Sequence, residues 1–453
     1  MRWLRVAVVL AALGVVAQVA DARVPAFVRQ TGLTCNQCHM SVTPAPDFTF
    51  TGMKFRLNGF RTPWVAEKVE AGTEGALNGQ RLVLTLGSAL SFHGRSILVQ
   101  QATPASDPAL PEPTAGAPNS DIFGTLAIHF AGPIGDHIGI WNELYIYGGG
   151  GPGGNTHGYI GLNHYLYSLT TNTGGNILGW QAAGYSEGSH NFLGVVGNAA
   201  PNNQLRFGTN LAGSHGPYFL TDVYAFLADR FAVLLGVEPG DGDNLDWKRM
   251  NYRFQVGYFL MNTDAGWVIA NYQYKAGNDL IPIVSSLRVQ NDGQRTIFTA
   301  DAVQGVSATR ASGAAYTSAM TGDGTRMIFN LSGGFTDKGP HSVSWNLGQS
   351  VEDETYIDGA KSSMRGIGLA ARYYYNRTFG INVSGSKYEK RQFTDAAGTV
   401  HNIPGDFSVD FVLVYRFAMN WNFYFNRSET QAAILDQNWR NGSSWNFNIQ
   451  YLW

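Results

Sequence analysis

From about residue 80 to the C-terminus, apolar and polar residues alternate along the chain. In Phe407, Val409, Phe411, Leu413, Tyr415 and Phe417 every odd position is apolar or aromatic, while Ser408, Asp410 and Arg416 stand between them. Ile367, Leu369, Ala371, Tyr373 and Tyr375 repeat the pattern, as do Tyr252, Phe254, Val256, Tyr258 and Leu260, and Val268, Ala270, Tyr272 and Tyr274. A period of two residues predicts strands with one apolar and one polar face. The sharpest case is the chain end, where Trp445, Phe447, Ile449, Tyr451 and Trp453 are interleaved with Asn446, Asn448 and Gln450. In water so aromatic a strand would invite edge-to-edge aggregation. In an outer-membrane barrel its apolar face meets lipid, its polar face meets the lumen, and the terminal aromatic residue joins the interfacial girdle.

Residues 80–453, at roughly 20 to 25 residues per strand with its turn and loop, give about 16 strands, an even number as bacterial barrels require. Closure is demanded because lipid cannot satisfy free backbone donors and acceptors. A soluble all-β fold is the alternative, since each alternating segment alone is a weak signal. Two stretches read as loops: Thr103 to Asp121, with Pro104, Pro108, Pro111, Pro113 and Pro118, and the run from Gly148 to Gly154. No Lys-Ser or Lys-Thr follows that glycine run, so it reads as a flexible turn and not as a phosphate cradle. Glu352, Asp353, Glu354 and Asp358 read as a solvated loop, with attraction of cations such as ferrous iron as the second reading.

Composition agrees with strands in lipid. Only 14% of the 453 residues are charged, against roughly 25% in a soluble domain. Gly numbers 55 and aromatic residues make up 13%, a mixture that favours strands and turns. A formal charge of −2 gives no field that would gather nucleic acid, which excludes that partner class.

The extreme N-terminus is written differently. Arg2 and Arg5 precede an apolar stretch from Val6 to Val19, interrupted at Gln18, and Ala20-Asp21-Ala22 follows. This predicts a secretory signal peptide, residues 1–22, cleaved after Ala22; a retained anchor is disfavoured because the run is shorter than a bilayer span. Removing Arg2, Arg5 and Asp21 leaves 29 basic and 32 acidic residues, a charge of −3.

The chain has two cysteines, both in Cys35-Asn36-Gln37-Cys38-His39. C-x-x-C-H is the pattern of covalent c-type haem attachment. Two thiols at this spacing reach the two vinyl groups of one porphyrin, and the adjacent imidazole becomes the proximal iron ligand. A disulfide loop or a thioredoxin-like pair are the competing readings, the latter lacking its βαβ context. The sequence therefore predicts one covalently attached haem c on Cys35 and Cys38, with His39 as axial ligand. For the distal ligand Met53 is the candidate, a thioether that would raise the potential. Its alternative is a packing role among Phe48, Phe50, Phe55 and Phe60. His93 is an outside candidate. Residues 23–75 form the haem segment, too short for a self-sufficient core, and it is expected to plug the lumen of the barrel formed by residues 80–453. The fold class is all-β: a transmembrane antiparallel barrel with a small N-terminal c-type haem segment.

Residues 24–39, Val-Pro-Ala-Phe-Val-Arg-Gln-Thr-Gly-Leu-Thr-Cys-Asn-Gln-Cys-His, resemble the fused outer-membrane monohaem cytochrome-porins of iron-oxidising bacteria. The run from Gly52 to Phe60 resembles that family's segment after the haem, with Arg56 where a Lys is usual, Phe60 where a Tyr is usual, and Met53 where a basic residue is common. The resemblance covers residues 24–60; the rest agrees in architecture alone. It implies an iron:cytochrome c oxidoreductase type of electron transfer, in which extracellular Fe(II) is oxidised and the electron reaches a periplasmic cytochrome. On this expectation Fe(II) meets the haem edge on the outer side, and no catalytic acid or base is needed. Two other readings stand beside it: a solute channel whose haem segment is a plug or sensor, and a conduit passing electrons outward to external acceptors.

Overall fold

The computed structural model describes residues 27, 31, 35–40 and 48–61 of the N-terminal part, and then 90–103, 115–148, 161–184, 220–239, 250–263, 265–277, 287–291, 296–300, 307–309, 315–317, 321–337, 340–356, 361–376, 378–394, 398, 400–403, 407–418, 421–431, 433–434, 437–438 and 442–452. The signal segment 1–22 and its cleavage site lie outside the described residues.

Among the described residues, two helices with both ends described come first: α1, Cys35–Cys38, and α2, Phe50–Leu57. Sixteen long strands follow among the described residues. They are β1 (Leu90–Thr103), β2 (Asn119–Ile134), β3 (Ile138–Gly148), β4 (Gly161–Thr173), β5 (Asn176–Gly184), β6 (Leu220–Leu227), β7 (Phe231–Pro239) and β8 (Met250–Thr263). Then come β9 (Gly266–Gly277), β10 (Thr321–Thr336), β11 (His341–Tyr356), β12 (Lys361–Tyr375), β13 (Phe379–Thr394), β14 (Phe407–Ala418), β15 (Trp421–Gln431) and β16 (Gly442–Leu452). Each pairs antiparallel with the strand before and after it, and the ring closes where β1 pairs with β16 over His93↔Leu452 to Thr103↔Ser443. A short strand, Val400–Ile403, adds to the edge of β13 and makes up the seventeen strands of the sheet. Among the described residues, three hairpins with strands of two to five residues lie in the connections after β9 and β15.

Burial is inverted relative to a water-soluble protein. Leu369 and Leu260 are each 56% exposed, whereas Gln255 and Asn346 are 0% exposed and Arg372 is 2%. On β12, Ile367, Leu369, Tyr373 and Tyr375 point outward while Ala370, Arg372 and Tyr374 point in. On β14 and β15, Val409 and Tyr415 face out while Asp410, Asn422 and Asn426 face in. Such a surface is stable only against hydrocarbon. A closed antiparallel ring, polar within and apolar without, is the architecture of an outer-membrane β-barrel.

The two ends differ. Tight turns join β2 to β3, β4 to β5, β6 to β7, β8 to β9, β10 to β11, β12 to β13 and β14 to β15, while most of the intervening connections are longer. β1 begins and β16 ends at the tight-turn end. In bacterial barrels the short turns are periplasmic.

One reading of the sequence changes here. The acidic run was expected in a loop, but Glu352, Asp353 and Glu354 belong to β11, opposite Arg326, Thr325 and Gly324 of β10. The ladder continues past the apolar zone toward the loops, where charge is tolerated on paired backbone. Asp358 lies outside the described residues. The loop read from Thr103 to Asp121 falls between β1 and β2, with all five prolines after Thr103 and before Asn119.

Candidate functional site

The haem-type motif is carried by a small helical unit. Helix α2 is fixed at both ends by its own sequence. Thr49 is the N-cap, its hydroxyl accepting the Gly52 N–H at 3.0 Å. At the other end Gly59 takes φ 63°, the Gly59 N–H donates to the Arg56 carbonyl at 3.1 Å, and the Phe60 N–H donates to the Phe55 carbonyl at 2.9 Å. This pair of reversed bonds is a Schellman ending, which favours glycine at the left-handed position. Lys54 and Arg56 in the last turn complement the helix dipole.

Helix α1 lies directly on α2. A Cβ at Gly52 would stand 2.1 Å from the Cys38 carbonyl oxygen, so no larger residue fits there. The Thr49 N–H donates to the same carbonyl at 2.9 Å. His39 forms an antiparallel bridge with Phe48, and their rings are 5.2 Å apart at 32°. Cys38 is half-buried and Gln37 is exposed. The donor set of two cysteines and an adjacent imidazole, on one helical turn clasped by residues 48–52, fits c-type haem attachment.

This unit sits inside the ring, against the tight-turn end. Lys54 Nζ is 2.8 Å from Asp229 in the β6–β7 turn. Arg61 donates from Nε to the Gly135 carbonyl in the β2–β3 turn at 3.1 Å, from Nη1 to Thr170 Oγ1 at 3.1 Å, and from Nη2 to the Ile138 carbonyl. Tyr224 on β6 donates its hydroxyl to the Leu57 carbonyl at 2.7 Å, and Trp267 on β9 donates its indole N–H to the Phe48 carbonyl at 2.9 Å. Burial lowers Arg56 to about 10, Tyr224 opposing and Arg253 adding to the shift. Arg61 is likewise lowered to about 10 by burial, with Asp136 opposing. Both guanidiniums stay charged at neutral pH.

An apolar cluster joins the unit to the wall. Met40, Phe50, Met53 and Leu57 pack with Ile177, Tyr224, Phe226, Ala232, Leu234, Phe259, Trp267 and Ile269. A second cluster joins Phe27, Phe55 and Phe60 to Trp141, Leu166 and Ala183. The described wall contacts therefore run from β3 to β10. Met53 lies in the first cluster at 2% exposure. His93 lies on β1, opposite Ala127 and Leu452, away from that arc.

The wall residues of this seat were not singled out by alternation, yet they leave a trace in the sequence. Val223-Tyr224-Ala225-Phe226, Phe231-Ala232-Val233-Leu234-Leu235 and Trp267-Val268-Ile269-Ala270 are apolar on both faces. Strands lose their polar face where something apolar covers the lumen side.

The motif stands near the tight-turn, periplasmic end of the ring and not on the outer side. The reason is tertiary: the apolar inward patch that α2 needs exists near the tight turns of β5 to β9.

No protein-family model and no curated protein matches the sequence. Among solved structures, the chain is similar to a loop-deletion mutant of OmpT, an outer-membrane protein of Vibrio cholerae, at 12% identity and a TM-score of 0.47 over 80% of this chain and 99% of that one. It is similar to the outer-membrane channel DcaP of Acinetobacter baumannii at 10% identity and 0.48, over 80% and 96%. An anion-selective porin from Comamonas acidovorans gives 12% and 0.45, over 81% and 99%. At such identities and scores the solutes of those proteins do not carry over; the chain's architecture rests on its own closed ring of sixteen strands, polar inside and apolar outside.

Proposed function

We propose that this chain is an outer-membrane electron conduit that carries electrons between extracellular Fe(II) and a periplasmic cytochrome, with one covalently held haem c as the carrier. The observation that carries the reading is the seat of the C-x-x-C-H helix in the periplasmic mouth of a membrane barrel. Cys35 and Cys38 would hold the haem by thioether bonds, His39 would ligate its iron, and Met53 is the proposed sixth ligand. When bound, the haem supplies a one-electron relay whose potential is tuned by axial ligands, burial and hydrogen bonding.

The rest is done by the chain itself. Outward aromatic and aliphatic residues hold the ring in lipid. The inward face of the ring is polar, with Gln255, Asn346 and Asn382 buried on it, and the proposed path of the hydrated ion from the outer loops runs on that side. Each Fe(II) would leave as Fe(III), one electron going to the partner. At the inner mouth the exposed Gln37 and half-buried Cys38 mark the face a periplasmic cytochrome would approach.

A second reading is a solute channel with a structural plug; the described plug contacts from β3 to β10 cover only part of the wall, which favours it. One experiment separates them. The purified protein is placed in liposomes enclosing an oxidised cytochrome, and Fe(II) is added outside without oxygen. Reduction of the enclosed cytochrome, lost in H39A, is expected. A colourless protein without Soret absorbance, or solute flux with no haem reduction, would overturn the conduit. A midpoint potential too low for Fe(II) as donor would reverse the direction to outward transfer.

A further inference from the structure

Trp267 is 1% exposed on β9, on the inward face that it shares with Ile269 and Asn271. Its indole N–H donates to the Phe48 carbonyl at 2.9 Å. Phe48 is the residue bridged to His39, ring beside ring, while the next residue, Thr49, ties the other strand of the clasp to Cys38. Two residues of this clasp thus face the barrel wall: Phe48 through the indole, and Met40 through a notch. A Cβ at Gly334 on β10 would stand 2.5 Å from Met40 Sδ and 2.9 Å from Trp267 Nε1, so the absent side chain makes room for both.

We propose that Trp267 is a positioning residue for the His39 imidazole, acting through the Phe48 carbonyl, with Gly334 as the notch that lets it do so. A buried indole N–H must find an acceptor, and this one is spent on the segment that flanks the ligand, not on the barrel's own ladder. A single directional bond from the rigid wall sets the height and rotation of residue 48, and through the bridge those of residue 39. Outer groups that orient a metal's histidine tune the metal. The inference rests on the haem reading above.

The test uses the full chain, matured with haem. W267F keeps the ring packing and removes the donor. W345F makes the same change on β11, where Trp345 shares the lipid-side face of Val343 and Leu347. Barrel folding is read by heat-modifiable gel migration, haem content by alkaline pyridine absorbance, and ligand geometry by the low-spin electron paramagnetic resonance spectrum and the midpoint potential. The expected result is a folded W267F with full haem content whose g values and potential move outside the range spanned by wild type and W345F. If W267F fails to fold, G334A is read instead, and it should shift the same spectrum by crowding Met40 and the indole. Unchanged spectra and potential in a haem-loaded W267F or G334A would overturn the positioning role while leaving the conduit intact. A wild-type chain that matures without haem would overturn both.

Discussion

Replacing Phe50 by Ala tests whether the helical unit is held in the lumen by apolar packing. Phe50 is 6% exposed, stands edge-on to Phe259 at 5.2 Å and 76°, and lies 6.2 Å from Phe226. In the lumen the alternative to packing is water, so the hydrophobic effect applies here as it does not on the lipid face. Removing a buried phenyl costs about 3–5 kcal/mol, most of it from lost transfer and the cavity left behind. The polar ties are weaker. The Tyr224 bond to the Leu57 carbonyl contributes on the order of 1 kcal/mol, and the Lys54–Asp229 pair, 18% and 38% exposed, about 0–1 kcal/mol. A loss of about 3 kcal/mol raises the undocked population roughly a hundredfold, at 1.4 kcal/mol per factor of ten. Hydrogen exchange of the α2 amides reads this directly, because the Met53 and Asn58 N–H groups are bonded within the unit to Thr49 and Lys54. F50A should accelerate their exchange by about that factor, and D229N by less than tenfold. Unchanged exchange in F50A, or a larger effect from D229N, would refute the apolar seat.

Further outcomes follow from the same geometry. H39A should lose the native haem spectrum while inserting into membranes as wild type does, checked by absorbance and heat-modifiable migration. M53L should lower the midpoint potential and remove the charge-transfer band of thioether-ligated ferric haem; an unchanged spectrum would assign Met53 to packing. G139A places a Cβ 2.6 Å from the Gly59 Cα, which should destabilise the docked unit by about 1–3 kcal/mol, seen as faster α2 exchange with an intact barrel. L369R, on the lipid face, should weaken folding into vesicles by about 2–4 kcal/mol, measured by equilibrium urea titration.

Much of the barrel is written locally. The outward positions of β8, β9, β12 and β14 are the apolar positions of the alternating runs, because a strand's two faces are fixed by parity and one face must meet lipid. The strand number follows from length because span and turn sizes are set by bilayer thickness. The C-x-x-C-H motif is read from five consecutive residues, and the proposed haem rests on them. The glutamates at 352 and 354 were misjudged because charge alone does not distinguish a loop from the upper rungs of a strand whose backbone is paired on both sides.

Alternation fixed which side chains look outward; it was silent on which end of the cylinder receives the helical unit. That depended on an inward apolar patch assembled from Ile177, Phe226, Phe259 and Trp267, four residues on four strands that meet only after the ring closes. Parity is a property of neighbours in the chain, whereas a seat is a property of neighbours in space, and the barrel brings the two together with partners more than two hundred residues apart, as Trp267 is from Phe48.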